Sequence, residues 1–207
     1  MEKESFVTES FGPSEKLYKY YSNIGNAFKT ISNGKIHLDD PKEYNDPFEA
    51  IFTDASGGSK YKISCFCEIW SSILMWSYYA NCHKGVCIEF DVKKLKKDKN
   101  LIYECLKPVH YSSVRPKCDD TVPEDRARGL LSKSEVWEHE HEWRLVCETN
   151  EEFCDFDCVS AIYFGVRTDF SQKNVKELIA HADRKAIPIY RCELDASEYR
   201  LIKNDFA

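Results

Sequence analysis

The sequence predicts an α+β fold, a single domain of short, mostly antiparallel strands in a split sheet flanked by helices. Three observations predict it. Strings of period-two hydrophobicity recur along the chain, the clearest being GVCIEFDV (85–92), with Val86, Ile88 and Phe90 on one face. Only a few segments have helical spacing between them. No internal repeat, low-complexity tract or linker divides the 207 residues, of which 43% are hydrophobic and 14% aromatic, enough for one sizeable core. Residues 1–16 read as a polar lead-in and 17–207 as the domain.

The elements follow in order. LYKYY (17–21) is a short aromatic strand. Residues 23–31 read as a helix with Ser22 or Asn23 as N-cap and Gly34 just past its end. KIHL (35–38) alternates as a strand. DDPKEYNDPFEA is an acidic, turn-rich stretch with two prolines, and Gly57-Gly58 marks a joint. YKISCF (61–66) is a strand and 71–82 an aromatic helix that leads into the strand at 85–92. KKLKKDK (93–99) reads as a solvated turn, with phosphate contact as the functional alternative. LIYECLKPVHY contributes two short strands split near Pro108, and 122–135 has helical character. Strands at 141–148 and 160–166, a helix at 171–184 and a terminal hairpin of IPIYRCEL with EYRLIK complete the chain.

Composition excludes several classes. The net charge is −6, from 29 basic and 35 acidic residues, which argues against nucleic-acid binding driven by overall charge. No apolar run approaches the roughly 18 residues of a membrane helix. The acidic opening MEKESFVTES is unlike a signal peptide, so the expectation is a cytoplasmic protein without a membrane partner. Ten cysteines then read as reduced thiols, several of them in apolar positions such as Cys87 and Cys147. Cys65-Phe-Cys67 and the Cys154/Cys158 pair lack the doubled spacing of a zinc site.

Three constellations carry chemistry. The first is Asn45-Asp46-Pro47-Phe48-Glu49, where the polar residues before proline favour a turn, Phe48 is expected to anchor it to the core, and Asp46 or Glu49 is available to a cleft. The second is the 64–90 segment. Its Ser64, Ser71 and Ser72 stand beside Trp76 and Tyr79, rings and hydroxyls of the kind a nucleotide pocket uses, although an aromatic stripe at helical spacing is more often a core face. The third is WEHEHEWR (137–144). If extended, it puts Glu138, Glu140, Glu142 and Arg144 on one face; if it begins as a helical turn, Glu140 and Arg144 can pair. His139 and His141 lack a third ligand at a recognisable spacing, so no metal is expected there.

These segments resemble a large bacterial family of domains of unknown function. The resemblance rests on Leu17-Tyr-Lys-Tyr20, Tyr44-Asn-Asp-Pro-Phe-Glu49, Ser64-Cys-Phe66, Met75-Trp-Ser-Tyr-Tyr79, His83-Lys-Gly-Val-Cys-Ile-Glu-Phe-Asp91, and Lys133 leading to Trp137–Arg144. It covers about residues 17–165, and departs at Cys67, where the family often has serine. The order of parts is also similar to the ADP-ribosyltransferase fold, with Lys19 where that fold carries His or Arg. Ser64 and Tyr79 stand before Gly85-Val86, and Glu140 or Glu142 opens the last strand.

That second resemblance implies an enzyme that cleaves the nicotinamide–ribose bond of NAD, its substrate, and passes ADP-ribose to a macromolecular acceptor, as a toxin or phage-defence effector would. Glu142, Glu140 and Tyr79 are the implied catalytic residues. Lys19, Tyr20, Ser64, Trp76 and Arg144 are implied to bind NAD or a related nucleotide, with Asn45, Asp46 and Glu49 as further pocket candidates. Two other readings stay open: a non-catalytic nucleotide or nucleic-acid sensor, and a Mg²⁺-dependent hydrolase or nuclease using Asp46, Glu49, Glu140 and Glu142.

Overall fold

The computed structural model describes residues 15–49, 61–95, 106–118 and 122–206. Among them, strands β1 (Lys16–Tyr21), β3 (Tyr61–Cys67), β4 (Val86–Asp91), β5 (Leu106–Pro108), β8 (Glu142–Glu148), β10 (Val159–Phe164), β11 (Ile189–Leu194) and β12 (Leu201–Asp205) form one eight-stranded sheet. Its order is β12-β11-β10-β4-β1-β3-β8-β5, antiparallel except between β10 and β11. Two small ribbons flank it: β2 (Lys35–His37) with β9 (Phe153–Asp155), and β6 (His110–Ser112) with β7 (Ser132–Ser134). The protein is therefore mixed α and β with a mostly antiparallel sheet. The Gly57-Gly58 joint, positions 96–99 of the lysine-rich run and residues 101–105 lie outside the described residues.

Strand alternation puts two different cores on the two faces of the sheet. Leu17, Phe66, Val86, Ile88, Phe90, Leu145 and Ile162 share one face, covered by α1 (Ile24–Asn33) and α4 (Lys173–Arg184) through Ile31, Leu178 and their neighbours. Tyr18, Tyr20, Cys67, Cys87 and Tyr163 share the other, where α2 (Ile73–Tyr79) places Met75 and Trp76. Helix α1 has the predicted caps: Asn23 accepts from the Gly25 amide, and Gly34 ends the helix with φ +63°.

Two predicted helices are shorter than their periodicity suggests. Helix α2 stops at Tyr79 because Asn81, Cys82 and His83 all take positive φ, and the Gly85 amide turns back to the Ala80 carbonyl at 2.8 Å. Gly85 is obligatory there, since a Cβ would come within 2.1 Å of the Tyr21 carbonyl oxygen. The stretch at 122–135 is helical only over α3 (Pro123–Leu130). Residues 132–134 leave it to pair with β6, and the Ser132 hydroxyl closes the helix on the Arg128 carbonyl at 2.6 Å.

Candidate functional site: a wedge between strands and a buried charge cluster

The central strands do not run as a closed ladder. Strand β1 pairs with β4 from Lys16 to Tyr21, but with β3 only at Tyr18–Cys67. Beyond that point β1 and β3 part. Lys19 bridges the gap, its ammonium donating to Ser64 Oγ and to the Cys65 carbonyl, each at 3.1 Å. A backbone acceptor that lacks a ladder partner is thus satisfied by a side chain. In the wedge lies a cavity of about 190 Å³, walled by Tyr18, Tyr20, Phe66 and Met75 and edged by Lys19, Asn45 and Tyr79.

At its inner end sits a cluster of charges drawn from four segments. On β8, Glu142 and Arg144 project from the same face, two residues apart, while Trp143 and Leu145 enter the opposite core. Arg144, only 2% exposed, holds Glu142 with two bonds of 2.8 and 3.0 Å, binds Glu49, and donates to the Leu130 carbonyl at the end of α3. The Lys133 ammonium, from β7, bonds Glu140 and reaches Glu142 at 3.0 Å and Glu49 at 3.6 Å. Glu140 in turn accepts from the Tyr79 hydroxyl at 2.5 Å, and Asn45 donates to that hydroxyl at 3.4 Å. The Glu142 amide donates to the Tyr111 hydroxyl at 2.9 Å.

The same cations act differently on two acids. Burial alone would raise the Glu142 carboxyl, but Arg144 and Lys133 outweigh it and hold that carboxyl at about 2. At Glu49 burial wins over the pull of Arg144 and Lys133, and the carboxyl lies above the ordinary glutamate value. Lys133 would be lowered by burial, yet Glu142, Glu49 and Glu140 together raise it. Tyr79 is raised by burial and then by its bond to Glu140.

The predicted site residues divide into three groups. Tyr79, Glu140, Glu142, Lys19, Tyr20, Asn45 and Glu49 all line the wedge cavity. Ser64 and Arg144 lie behind it, Ser64 as an acceptor for Lys19 and Arg144 as the clamp on two glutamates. Asp46 lines a neighbouring cavity instead. Trp76, implied to bind a nucleotide, does not line the cavity: it is fully buried, its indole N–H donates to the Trp70 carbonyl at 2.7 Å, and its ring packs edge-on to Tyr20 and against His83. Phe48 is a second correction. It is 62% exposed rather than an anchor, because the turn is held instead by the Asp46 carboxylate accepting from the Phe48 amide at 2.9 Å.

The WEHEHEWR stretch is neither wholly extended nor a turn that pairs Glu140 with Arg144. Residues Glu135–Glu140 form a 3₁₀ helix, His141 takes φ +42°, and the strand begins at Glu142. The change of direction sends Glu140 to Lys133 and Tyr79, and Glu142 to Arg144. His139 leans on Trp137, and His141 is exposed. Sequence reasoning gives Lys133 no chemical role and names it only ahead of the Trp137–Arg144 motif, whereas the structure buries it among three carboxylates. Its place at the head of the Trp137–Arg144 motif is the one signal that could have revealed it.

No group of three His, Cys, Asp or Glu side chains that could hold a metal ion occurs among the described residues. More to the point, the place between Glu49, Glu140 and Glu142 where a divalent cation would sit is taken by the Lys133 ammonium. The described residues also contain no helix long and apolar enough to cross a membrane.

Comparison with curated proteins gives no match, and neither does comparison with solved structures. In the comparison with protein families, residues 75–145 match the model described as protein of unknown function (DUF2971). The segment similar to that family model is the one that supplies Tyr79, Lys133, Glu140, Glu142 and Arg144.

Proposed function

We propose that the wedge binds the nicotinamide end of NAD, and that the protein cleaves the nicotinamide–ribose bond and transfers ADP-ribose, with Glu140 as the catalytic carboxylate. One observation carries the reading: Glu140 and Tyr79 meet at 2.5 Å on the edge of a cavity walled by aromatic and apolar side chains. Bond cleavage leaves positive charge on the ribose, and a fixed carboxylate beside it lowers the barrier. Glu142 is less suited, since Arg144 grips both of its oxygens.

The cavity fits one half of that substrate. Its volume, about 190 Å³, falls below the roughly 300–1,000 Å³ of a site that encloses a whole drug-sized ligand, so it admits a single ring and leaves the rest outside. Four carboxylates line it (Asp39, Glu49, Glu140, Glu142) against two ammonium groups (Lys19, Lys133). With Arg144 behind them one negative charge is in excess, which suits the cationic nicotinamide ring. Tyr20 and Tyr18 offer ring faces and edges to it. Lys19, with no carboxylate in ion-pair reach among the described residues, is placed for a ribose hydroxyl or phosphate oxygen.

The adjacency of β1, β3 and β8 also supports the reading, because it brings Lys19, Ser64 and the glutamates into one neighbourhood. The hydrolase reading loses ground to the Lys133 ammonium, which already occupies the space between Glu49, Glu140 and Glu142. The test is label transfer from NAD labelled in its adenylate half, in a cell extract, comparing wild type with Glu140→Gln and Glu142→Gln. Transfer abolished by Glu140→Gln is expected. Absence of both label transfer and nicotinamide release from the wild type would sink the proposal.

A further inference from the structure

A second cavity, of about 150 Å³, adjoins the first across a wall of two side chains: Glu49 and Lys133 line both. Strand β7 forms that wall by alternation. Lys133 borders both spaces, and its neighbours Ser132 and Ser134 border only the second. Ser112, opposite Ser134 in the ribbon, adds a hydroxyl, and Ser113 adds another. Ser113 and Ser134 make no side-chain hydrogen bond to any described residue. The Ser112 hydroxyl accepts from the Val114 amide at 3.0 Å and keeps its own proton to donate. Phe48 and Val114, both largely exposed, also line this cavity.

The charges lining this cavity cancel, Asp46 and Glu49 against Arg115 and Lys133. A phosphate or an ammonium group would meet as much repulsion as attraction. Uncommitted hydroxyls beside exposed apolar groups suit a neutral hydrogen-bonding group instead.

Building on the NAD reading of the wedge, we infer that the second cavity is the acceptor subsite, that it takes a neutral hydroxyl or amide nucleophile, and that the Glu49 carboxylate receives its proton. The step balances. The bond between the ribose anomeric carbon and the nicotinamide nitrogen breaks, and its electron pair neutralises the pyridinium. The acceptor oxygen or nitrogen forms the new bond to that carbon, and its proton passes to Glu49. Glu49 is the carboxylate on the shared wall, and Glu140 remains on the ribose side. Burial holds the Glu49 carboxyl above the ordinary range in spite of Arg144 and Lys133, which favours a base over a spectator.

The experiment measures two products from NAD labelled in its adenylate half, in cell extract with the purified full chain: free nicotinamide and label on macromolecules. The variants are Ser134→Phe, which fills the cavity, Ser113→Trp at an exposed position of the same cavity, Glu49→Gln and Glu49→Asp. Circular dichroism establishes that each is folded, and the Ser113 variant stands in if Ser134→Phe is not. The ratio of label transferred to nicotinamide released is expected to fall roughly tenfold or more in the filled variants and in Glu49→Gln, with partial return in Glu49→Asp. The pH profile of transfer should lose its acid limb in Glu49→Gln. An unchanged ratio in the filled variants overturns the subsite while leaving the wedge reading intact, and so does a wild type that releases nicotinamide but labels nothing. A wild type that releases no nicotinamide overturns both.

Discussion

Lys133 and Glu142 meet at 3.0 Å with both side chains almost wholly buried, one from a three-residue strand and the other from the first position of β8. Neither charge has access to much water. The pair is therefore tolerable only as part of a set in which every charge has a partner, and Arg144, Glu49 and Glu140 complete it.

Lys133→Met keeps the length of the side chain and removes the charge. Glu140 and Glu142 then lose the cation between them, and the expected loss of stability is about 3–5 kcal/mol, the range for breaking a buried ion pair from one side. Urea unfolding of the two proteins measures it. A loss under about 1 kcal/mol would mean that water reaches the cluster and screens it.

Tyr79→Phe tests the catalytic edge with little damage to the fold. It deletes the hydroxyl that bonds Glu140 at 2.5 Å and leaves the ring. Stability should fall by about 1.5–3 kcal/mol, the range for a hydrogen bond to a charged group. Nicotinamide release should fall by about a hundredfold, as for loss of one preorganised group at a charged transition state. Equal release by the two proteins would remove Tyr79 from the mechanism.

The pH dependence follows from the depressed Glu142 carboxyl. Its ordinary value is 4.5 and its folded value about 2. The group therefore stabilises the fold fully above about pH 4.5 and loses that contribution as pH falls through about 2. Lys133, raised in the fold, contributes below its ordinary value of 10.5 and loses that contribution as pH rises through its folded value. The stability gap between wild type and Glu142→Gln should be widest near neutrality and narrow between about pH 4.5 and 2, where a protonated Glu142 resembles glutamine. Chemical denaturation at a series of pH values would show this, and a gap that widens in acid would contradict it.

Glu89 is another buried carboxylate with several partners: Tyr163 at 2.6 Å, Lys16 at 2.7 Å, Ser160 at 2.8 Å and Tyr18 at 3.3 Å. Tyr163→Phe removes the shortest of these and should cost about 1.5–3 kcal/mol, the range for a hydrogen bond to a charged group. Because the Tyr18 ring also walls the wedge, NAD affinity should weaken alongside. Thermal unfolding and a binding titration separate the two effects.

Phe48→Ala should change stability by less than about 0.5 kcal/mol, as expected for a surface position. A core anchor would instead cost about 3–5 kcal/mol. Thermal unfolding distinguishes the two.

Local signals proved legible. Asn23 and Gly34 cap α1, the Val86-Ile88-Phe90 face enters the core, and the terminal hairpin pairs as expected. Tyr79, Glu140, Glu142 and Lys19 meet at one cavity. What escaped prediction depends on contacts distant in sequence. Three-residue strands such as β7 and β9 are too short to show a period, and they exist because a partner strand is present. The apolar side chain of Phe48 carries no sign that a backbone-bonded Asp46 would hold its turn. The direction of Glu140 hinges on one left-handed residue, His141, which no hydrophobic pattern marks.

The single pairing of β1 with β3 at Tyr18–Cys67 makes the main sheet two rafts lashed at one point. Each raft is laddered within itself, but little besides the Lys19 tether spans the open end. A flat ring lodged there would serve as a missing rung, and binding would read out as stiffness. Amide hydrogens of Lys19, Tyr20, Cys65 and Phe66 that face the gap should exchange more slowly with the ligand in place, while those on the far side of β4 keep their pace.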